Sequence, residues 1–369
     1  MESIKHIKEE APVVVERHLK QVLNYKRLLF YGIGNQFKQC YKLFKDKDVM
    51  FFDSDPQKWG EIIDQKAIHS PKEMINYIDD NTGIVVSSIS NQFEIAKMLV
   101  YDMGISSDNI FMYTSQWYES KIYKPHDIQK NWDRIVSCSK RFADVESQTY
   151  YINAVLARQQ RNPLLLTPNP KCISIGEYND IVCLERDDSI IDCGAYTGDT
   201  AELYMNRLDR QCNVFAIEPY KENFDRLEQR IRQCHWEDRV KAFHCAVGKN
   251  VTKAMINFNK DDFDMAINLS DREGREHQEV VIETLDHLFK GRRISYIKMD
   301  IEGEEKNALE GAKELMKSNH PKLLISGYHK IEDFWEIPET IWSIDDNYKI
   351  YVGHTPGIST EVEFYCIDN

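Results

Sequence analysis

Apolar residues along the chain gather in short runs, each closed by glycine, aspartate or proline and followed by a stretch with helical period. The first run is LLFY (Leu28 to Tyr31), inside KRLLFYGIGNQFKQCYKLF, where a buried strand meets glycine and passes into an amphipathic helix. VMFFDSDP (Val49 to Pro56), GIVVSS (Gly83 to Ser88) and NIFMY (Asn109 to Tyr113) repeat the theme, spaced by helical segments such as PKEMINYI and NQFEIAKMLVYDMG. This alternation predicts a small parallel sheet with right-handed crossovers.

From Ser120 to about Asn162 helical pattern continues without strands, and the turn-rich NPLLLTPNP marks a seam. After it come SIIDCG, NVFAIEP, VKAFHCAVG, ISYIKMD and PKLLISGYH, each beginning or following a helical segment. AMINFN and QEVVIETL add a β-ribbon that interrupts one crossover, and YKIYVGH with EVEFYCI reads as a terminal antiparallel hairpin. The expected organisation is a smaller Rossmann-like α/β domain over 1–118, a helical linker over 119–170 and a larger doubly wound α/β domain over 171–369.

A length of 369 residues exceeds what one hydrophobic core usually serves, in keeping with two domains. Against 60 acidic residues stand 47 basic ones, and the net charge of -13 sets the surface as a whole against phosphate backbones and anionic lipid. Nucleic acid and membrane are therefore not expected as partners, and no run approaches the roughly 20 apolar residues of a membrane span. With a charged start, MESIKHIKEE, that lacks an apolar centre, a cytoplasmic protein is expected. The nine cysteines are scattered, odd in number and never in C-x-x-C spacing, which argues against a zinc ribbon or a secreted disulfide framework.

The chemistry centres on IIDCGAYTGDT, Ile190 to Thr200. A dinucleotide turn needs G-x-G-x-x-G facing a pyrophosphate. Here only Gly194 and Gly198 are present, with carboxylates at Asp192 and Asp199. Like charges about 4 Å apart cost roughly 4 kcal/mol at a surface-like dielectric, so an anionic ligand is disfavoured. S-adenosylmethionine, with its sulfonium and ammonium, fits better: Asp192 attracts its amino acid portion and the two glycines let the backbone come close. Glu218 ends the next strand, where a doubly wound sheet places an acceptor for ribose hydroxyls, and Pro219 and Tyr220 are placed to cover an adenine face. The plainer alternative is that Asp192 and Glu218 only cap helices.

IIDCGAYTGDT, VFAIEPYKENFDRL, AFHCAVG, ETLDHL, YIKMDIEGEEKNALEGA and YHKIEDFWEIP, in this order, resemble the FkbM family of S-adenosylmethionine-dependent methyltransferases from about Ser147 to the C-terminus. The resemblance implies a class I methyltransferase-type sheet and O-methylation, commonly of a sugar or polyketide hydroxyl. It matches Asp192, Gly194, Ala195, Thr197, Gly198 and Asp199 to the cofactor turn, Glu218 to the ribose acceptor, Ala246 to the loop near adenine, and Tyr178, in GEYNDIV, to a tyrosine over the cofactor. YVGHTPG departs from the family's C-terminal arginine-histidine-tyrosine stretch, keeping only His354.

Methyl transfer to an alcohol needs an oxygen held in line with the leaving sulfur and a group to take its proton. KMDIEGEE puts Asp300 at a strand end beside the crevice, with Glu302 two residues on, and SGYHK brings His329 to the end of the neighbouring strand. His329 is the expected base, with Asp300 orienting substrate or cofactor. Alternatives are a packing role for His329, a helix cap for Asp300 and a magnesium ion on Asp300 and Glu302; no metal is expected. In the N-terminal domain GIGNQF is G-x-G-x-x-F, with Asp53 about 20 residues on, so Gly32, Gly34 and Asp53 are candidates for a nucleotide or nucleotide-sugar. Otherwise that domain positions its neighbour or mediates homodimerisation. The acceptor is expected to be a saccharide or other small molecule. Rival functions are a nicotinamide-dependent oxidoreductase and a scaffold without chemistry.

Overall fold

A computed structural model describes residues 22–34, 36–88, 91–113, 125–160, 163–166, 181–258, 276–353 and 361–368. Tyr178 and His354 lie outside the described residues. The chain divides into two compact units, the first covering described residues up to 139 and 148–166, the second 140–147 and the remainder.

In the first unit the strands are β1 (Arg27–Tyr31), β2 (Asp48–Phe52), β3 (Ile62–Ile63), β4 (Lys66–His69), β5 (Thr82–Val86) and β6 (Ile110–Met112). Their spatial order is β3-β4-β2-β1-β5-β6, and every pair except β3 with β4 is parallel. The short helices α1 (Phe37–Lys42) and α2 (Gln92–Lys97) follow β1 and β5, and α3 (Pro125–Lys130), α4 (Trp132–Ser139) and α5 (Val145–Gln160) form the strandless stretch that the sequence places after them. Phe30 on β1 meets Phe37, Phe44 and Phe51 edge-to-face, with centroids 5.7 to 6.1 Å apart, the geometry that ring quadrupoles favour. The β3–β4 hairpin was not expected. Its turn residues Asp64 and Gln65 both hold positive φ, 45° and 66°, as a two-residue hairpin turn requires, but they lack the Asn-Gly or Asp-Gly pair that advertises one.

The second unit contains β7 (Ser189–Cys193), α6 (Asp199–Arg207), β8 (Asn213–Ile217), α7 (Lys221–Gln233), β9 (Val240–Phe243), β10 (Ala246–Val247), β11 (Thr252–Phe258), β12 (Glu276–Glu283), α8 (Leu285–Leu288), β13 (Tyr296–Met299), α9 (Glu305–Glu310), α10 (Lys313–Asn319), β14 (Lys322–Ser326), α11 (Asp333–Ile344), β15 (Lys349–Gly353) and β16 (Glu363–Ile367). The seven-stranded sheet runs β15-β16-β14-β13-β7-β8-β9. Its inner pairs are parallel, and β16 is antiparallel to both β14 and β15. This is the doubly wound sheet with a terminal hairpin that the sequence predicts. The expected ribbon is also present, as an antiparallel β11–β12 pair with β10 alongside.

Ile190, Ile191, Ile217, Ile297, Met299 and Leu324 are all buried, which is why these strands read as continuous apolar runs rather than alternating ones. β8 pairs on one side of β7 and β13 on the other. The chain direction across the sheet reverses there, so a crevice opens at the carboxyl ends of β7 and β13.

Candidate active site

Two segments meet at that crevice: the turn after β7 and the loop after β13. In the turn, Gly194, Tyr196 and Gly198 hold positive φ of 79°, 49° and 87°. Gly194 and Ala195 both donate their N–H to Ile217 O at 3.0 Å, fastening the turn to β8. A Cβ on Gly194 would lie 1.9 Å from Asp300 O; the glycine is required by the backbone of the neighbouring strand end. Gly198 is the residue before α6, and Asp199 is an exposed carboxylate in the first turn of that helix, where negative charge suits the helix dipole. Ala195 is buried, Thr197 is half-buried and Tyr196 is exposed.

Asp192 is completely buried, and its partner is Lys298 on β13, with Nζ 3.2 Å from Oδ1. Burial raises the Asp192 pKa, and the Lys298 charge opposes that rise. Lys298 is the one partner given for this carboxylate among the described residues, so acceptor capacity remains. Lys298 also donates to Gly194 O at 3.2 Å.

Glu218 is 3% exposed and accepts the Tyr196 N–H at 3.0 Å and the Tyr220 N–H at 2.9 Å. Burial pushes its carboxyl up to about 7 despite these bonds and one from Asn223. Tyr220 is the residue preceding α7, so Glu218 does serve that helix start; its two oxygens still leave lone pairs over. Tyr220 is buried with Ile256 and Val280, and Ala246 packs against this group. Pro219 O accepts from the Gln278 amide at 3.1 Å. Tyr220 and Ala246, which come from separate segments of the sequence, thus share one cluster next to Glu218.

In the loop after β13, Asp300 is half-buried, Glu302 has φ 58° and Gly303 has φ 95°. Helix α9 begins at Glu305, with Glu304 in the capping position, so Asp300 does not cap it. His329, after β14, has a side chain 9% exposed and lies among three carboxylates. Its Nε2 is 3.3 Å from Asp300 Oδ1 and 3.7 Å from Glu302 Oε2, and its Nδ1 is 3.0 Å from Glu305 Oε1. Tyr328 donates its hydroxyl to Asp300 at 3.4 Å. Burial alone would lower the imidazole pKa; Glu305 and Asp300 outweigh it and hold His329 well above its ordinary value. Burial of Asp300 is likewise outweighed by the His329 hydrogen bond and the Lys298 charge, which keep its carboxyl well below the usual carboxylate range. Ligating atoms of Asp300, Glu305 and His329 lie within 4.8 Å of one another.

Lys298, Glu305 and Tyr328 escaped sequence reasoning. Lys298 had a usable signal: it precedes Asp300 by two on a strand and so shares its face. Glu305 had none, since it reads as one more acid in an acidic helix start.

A cavity of about 320 Å³ opens beside the turn, lined by Tyr196, Thr197, Arg226, Gln229, Arg230 and Gln233. Both arginines are paired with carboxylates, Arg226 with Glu222 at 2.9 Å and Arg230 with Glu202 at 2.8 Å. In the first unit Gly32 has φ 94°, and a Cβ there would lie 2.8 Å from Ser88 Cβ, whereas the space around Gly34 is open. Asp53 is buried and accepts from Ile33 N–H at 2.8 Å, Asp55 N–H at 2.9 Å and Lys58 Nζ at 2.9 Å. The third glycine's place is taken by Phe37, stacked on Tyr41 within the aromatic core.

A strand order that reverses beside a glycine turn, with acids on two adjacent strand ends, is a doubly wound nucleoside-binding arrangement. Residues 192–350 match the family model of the methyltransferase FkbM domain, and this part of the chain is an FkbM-family methyltransferase domain. The solved methyltransferase FkbM from Methylobacillus flagellatus KT is similar over 99% of this chain and 96% of its own, at 18% identity and a TM-score of 0.63. A putative rRNA-methylase from Clostridium thermocellum matches 50% of this chain and 88% of its own, with 7% identity and a TM-score of 0.35. Aeropyrum pernix fibrillarin, solved with natively bound S-adenosyl-L-methionine, matches 50% of this chain and 67% of its own, with 10% identity and a TM-score of 0.32. No curated protein matches the chain. Among the described residues no helix is long and apolar enough to cross a membrane.

Proposed function

We propose that this chain is an S-adenosylmethionine-dependent O-methyltransferase that modifies a hydroxyl of a sugar, in a glycan or an activated saccharide. The observation that carries the reading is the Asp300–His329 pair set at the mouth of the crevice beside the Gly194 turn. The donor set suits a cationic nucleoside: Asp192 and Glu218 are buried acceptors with lone pairs to spare, and Asp300 adds a third carboxylate. When bound, S-adenosylmethionine supplies an electrophilic methyl group on sulfur. Glu218 receives the ribose hydroxyls, with Pro219, Tyr220 and Ala246 bordering the base and Thr197 and Asp199 flanking the turn; Tyr178 is proposed on the resemblance alone.

On the acceptor side, Asp300 orients the hydroxyl and His329 takes its proton. A base must be neutral to accept, and the carboxylates around His329 favour its charged form. Proton acceptance therefore falls to the deprotonated fraction, which grows with pH. Glu302 and Glu305 stabilise the imidazolium once formed, and Glu305 holds Nδ1 so that Nε2 faces Asp300. The imidazolium supplies the positive charge that these carboxylates require, so we propose that no metal is needed. In the first unit Asp53 holds its own turn through three donors, and we propose that Gly32, Gly34 and Asp53 form a structural turn rather than a nucleotide site.

The deciding experiment incubates the protein with methyl-labelled S-adenosylmethionine and polysaccharide extracts of the source cells, then locates the label by mass spectrometry. Label on a sugar oxygen supports the proposal; label only on nitrogen or on non-saccharide products rejects it.

A further inference from the structure

Among lysines and arginines of the second unit's described residues, Lys298 is the one that is buried. It stands opposite Asp192 in the β7–β13 register, its Nζ 3.2 Å from that carboxylate and 3.2 Å from Gly194 O. Replacing a buried ion pair with apolar side chains of similar volume is often neutral or stabilising, so stability alone does not explain one here. What an apolar pair lacks is a donor for the Gly194 carbonyl. That carbonyl belongs to the residue whose missing Cβ lets the turn sit against Asp300 O, and the same peptide region is tied to β8 through the Gly194 and Ala195 N–H groups.

Resting on the cofactor assignment above, we propose that Lys298 is a positioning residue. It fixes the Gly194 carbonyl, and with it the backbone of the turn, in the conformation that receives the cofactor, while Asp192 serves as its buried counter-ion. The effect of position separates cleanly from the effect of charge. Removing the lysine charge alone would favour the sulfonium cofactor over its neutral product, S-adenosylhomocysteine. Losing the geometry of the turn weakens both ligands equally.

The test is Lys298→Arg, which keeps the cation and leaves Asp192, itself assigned to the cofactor, in place with a counter-ion while moving the donor nitrogens away from Gly194 O. We expect cooperative unfolding near the wild-type temperature. In calorimetry we expect dissociation constants at least tenfold higher for both ligands, with their ratio unchanged. Wild-type affinity for both, or a shift confined to S-adenosylmethionine, overturns the proposal. Should Lys298→Arg not fold, Lys298→Met removes the donor to Gly194 O while Asp192, whose pKa burial already raises, stays in place. Weakening of both ligands supports the proposal and unchanged affinity rejects it. Failure of the cofactor assignment itself looks different, because the wild-type protein would then bind neither ligand.

Discussion

At the scale of single residues, Glu218 and His329 carry the predictions with the clearest signs. Glu218 in its ionised form accepts hydroxyl hydrogen bonds, which are worth about 1.5 to 3 kcal/mol when the acceptor is charged. Glu218→Ala is expected to weaken cofactor binding by about that amount, as read by calorimetry; unchanged affinity removes it from the site. Since burial raises this carboxyl to about 7, it protonates as pH falls through neutrality, and cofactor affinity should drop between pH 8 and pH 6. Stability runs the other way: a carboxyl with a raised folded pKa binds more protons folded than unfolded, so its contribution to stability declines as pH rises from the ordinary 4.5 towards 7. In the proposed role of His329 as base the neutral form is the active one, and since the folded pKa is raised, turnover should climb as pH increases above 7. His329→Gln keeps a hydrogen-bonding side chain but does not titrate; it is expected to bind cofactor normally, turn over at least tenfold more slowly and lose the pH slope, given the roughly 10²- to 10⁴-fold contribution of a positioned base. A metal role at these residues predicts that chelation stops the reaction, whereas the imidazolium arrangement predicts an unchanged rate after dialysis against a chelator.

At the scale of elements, the strands after the seam were legible because fully buried parallel strands advertise themselves as apolar runs, and the ribbon and terminal hairpin followed from extra runs that had no helix between them. The β3–β4 hairpin was not legible, because Asp64 and Gln65 both adopt left-handed backbone and a glutamine stands where such a turn usually has glycine. The candidate site was legible where chemistry sits in one segment, as with Gly194, Glu218 and Asp300. It was hidden where groups from separate segments meet, as with Lys298 against Asp192 and Glu305 against His329. Spacing along a chain says little about which charges will share a buried space. The turn itself gives a sharp prediction. Gly194→Ala asks a Cβ to sit 1.9 Å from a backbone oxygen at φ 79°, and overpacking together with left-handed strain amounts to about 2 to 4 kcal/mol. Thermal unfolding should therefore show a marked loss of stability, while Gly34→Ala, in open space, should leave the midpoint close to wild type.

At the scale of the whole molecule, two α/β units each present a glycine turn after a first strand, and the two turns differ in how their acids are used. In the second unit the buried acid Asp192 faces a lysine, and Glu218 accepts two backbone N–H groups with lone pairs left over. In the first unit Asp53 is bonded to Ile33 N–H, Asp55 N–H and Lys58, and Phe37 fills the place where a third glycine would let pyrophosphate approach the helix. A net charge of -13 adds a general bias against polyanions. From this contrast the protein should bind S-adenosylmethionine saturably and show no saturable binding of reduced nicotinamide dinucleotide, followed by the fluorescence of the reduced ring. Methyl transfer should also proceed undiminished with that dinucleotide in excess. Saturable dinucleotide binding that disappears in Asp53→Ala would place a working nucleotide site in the first unit and return the oxidoreductase alternative to contention, because the carboxylate would then be accepting a ribose rather than its own turn.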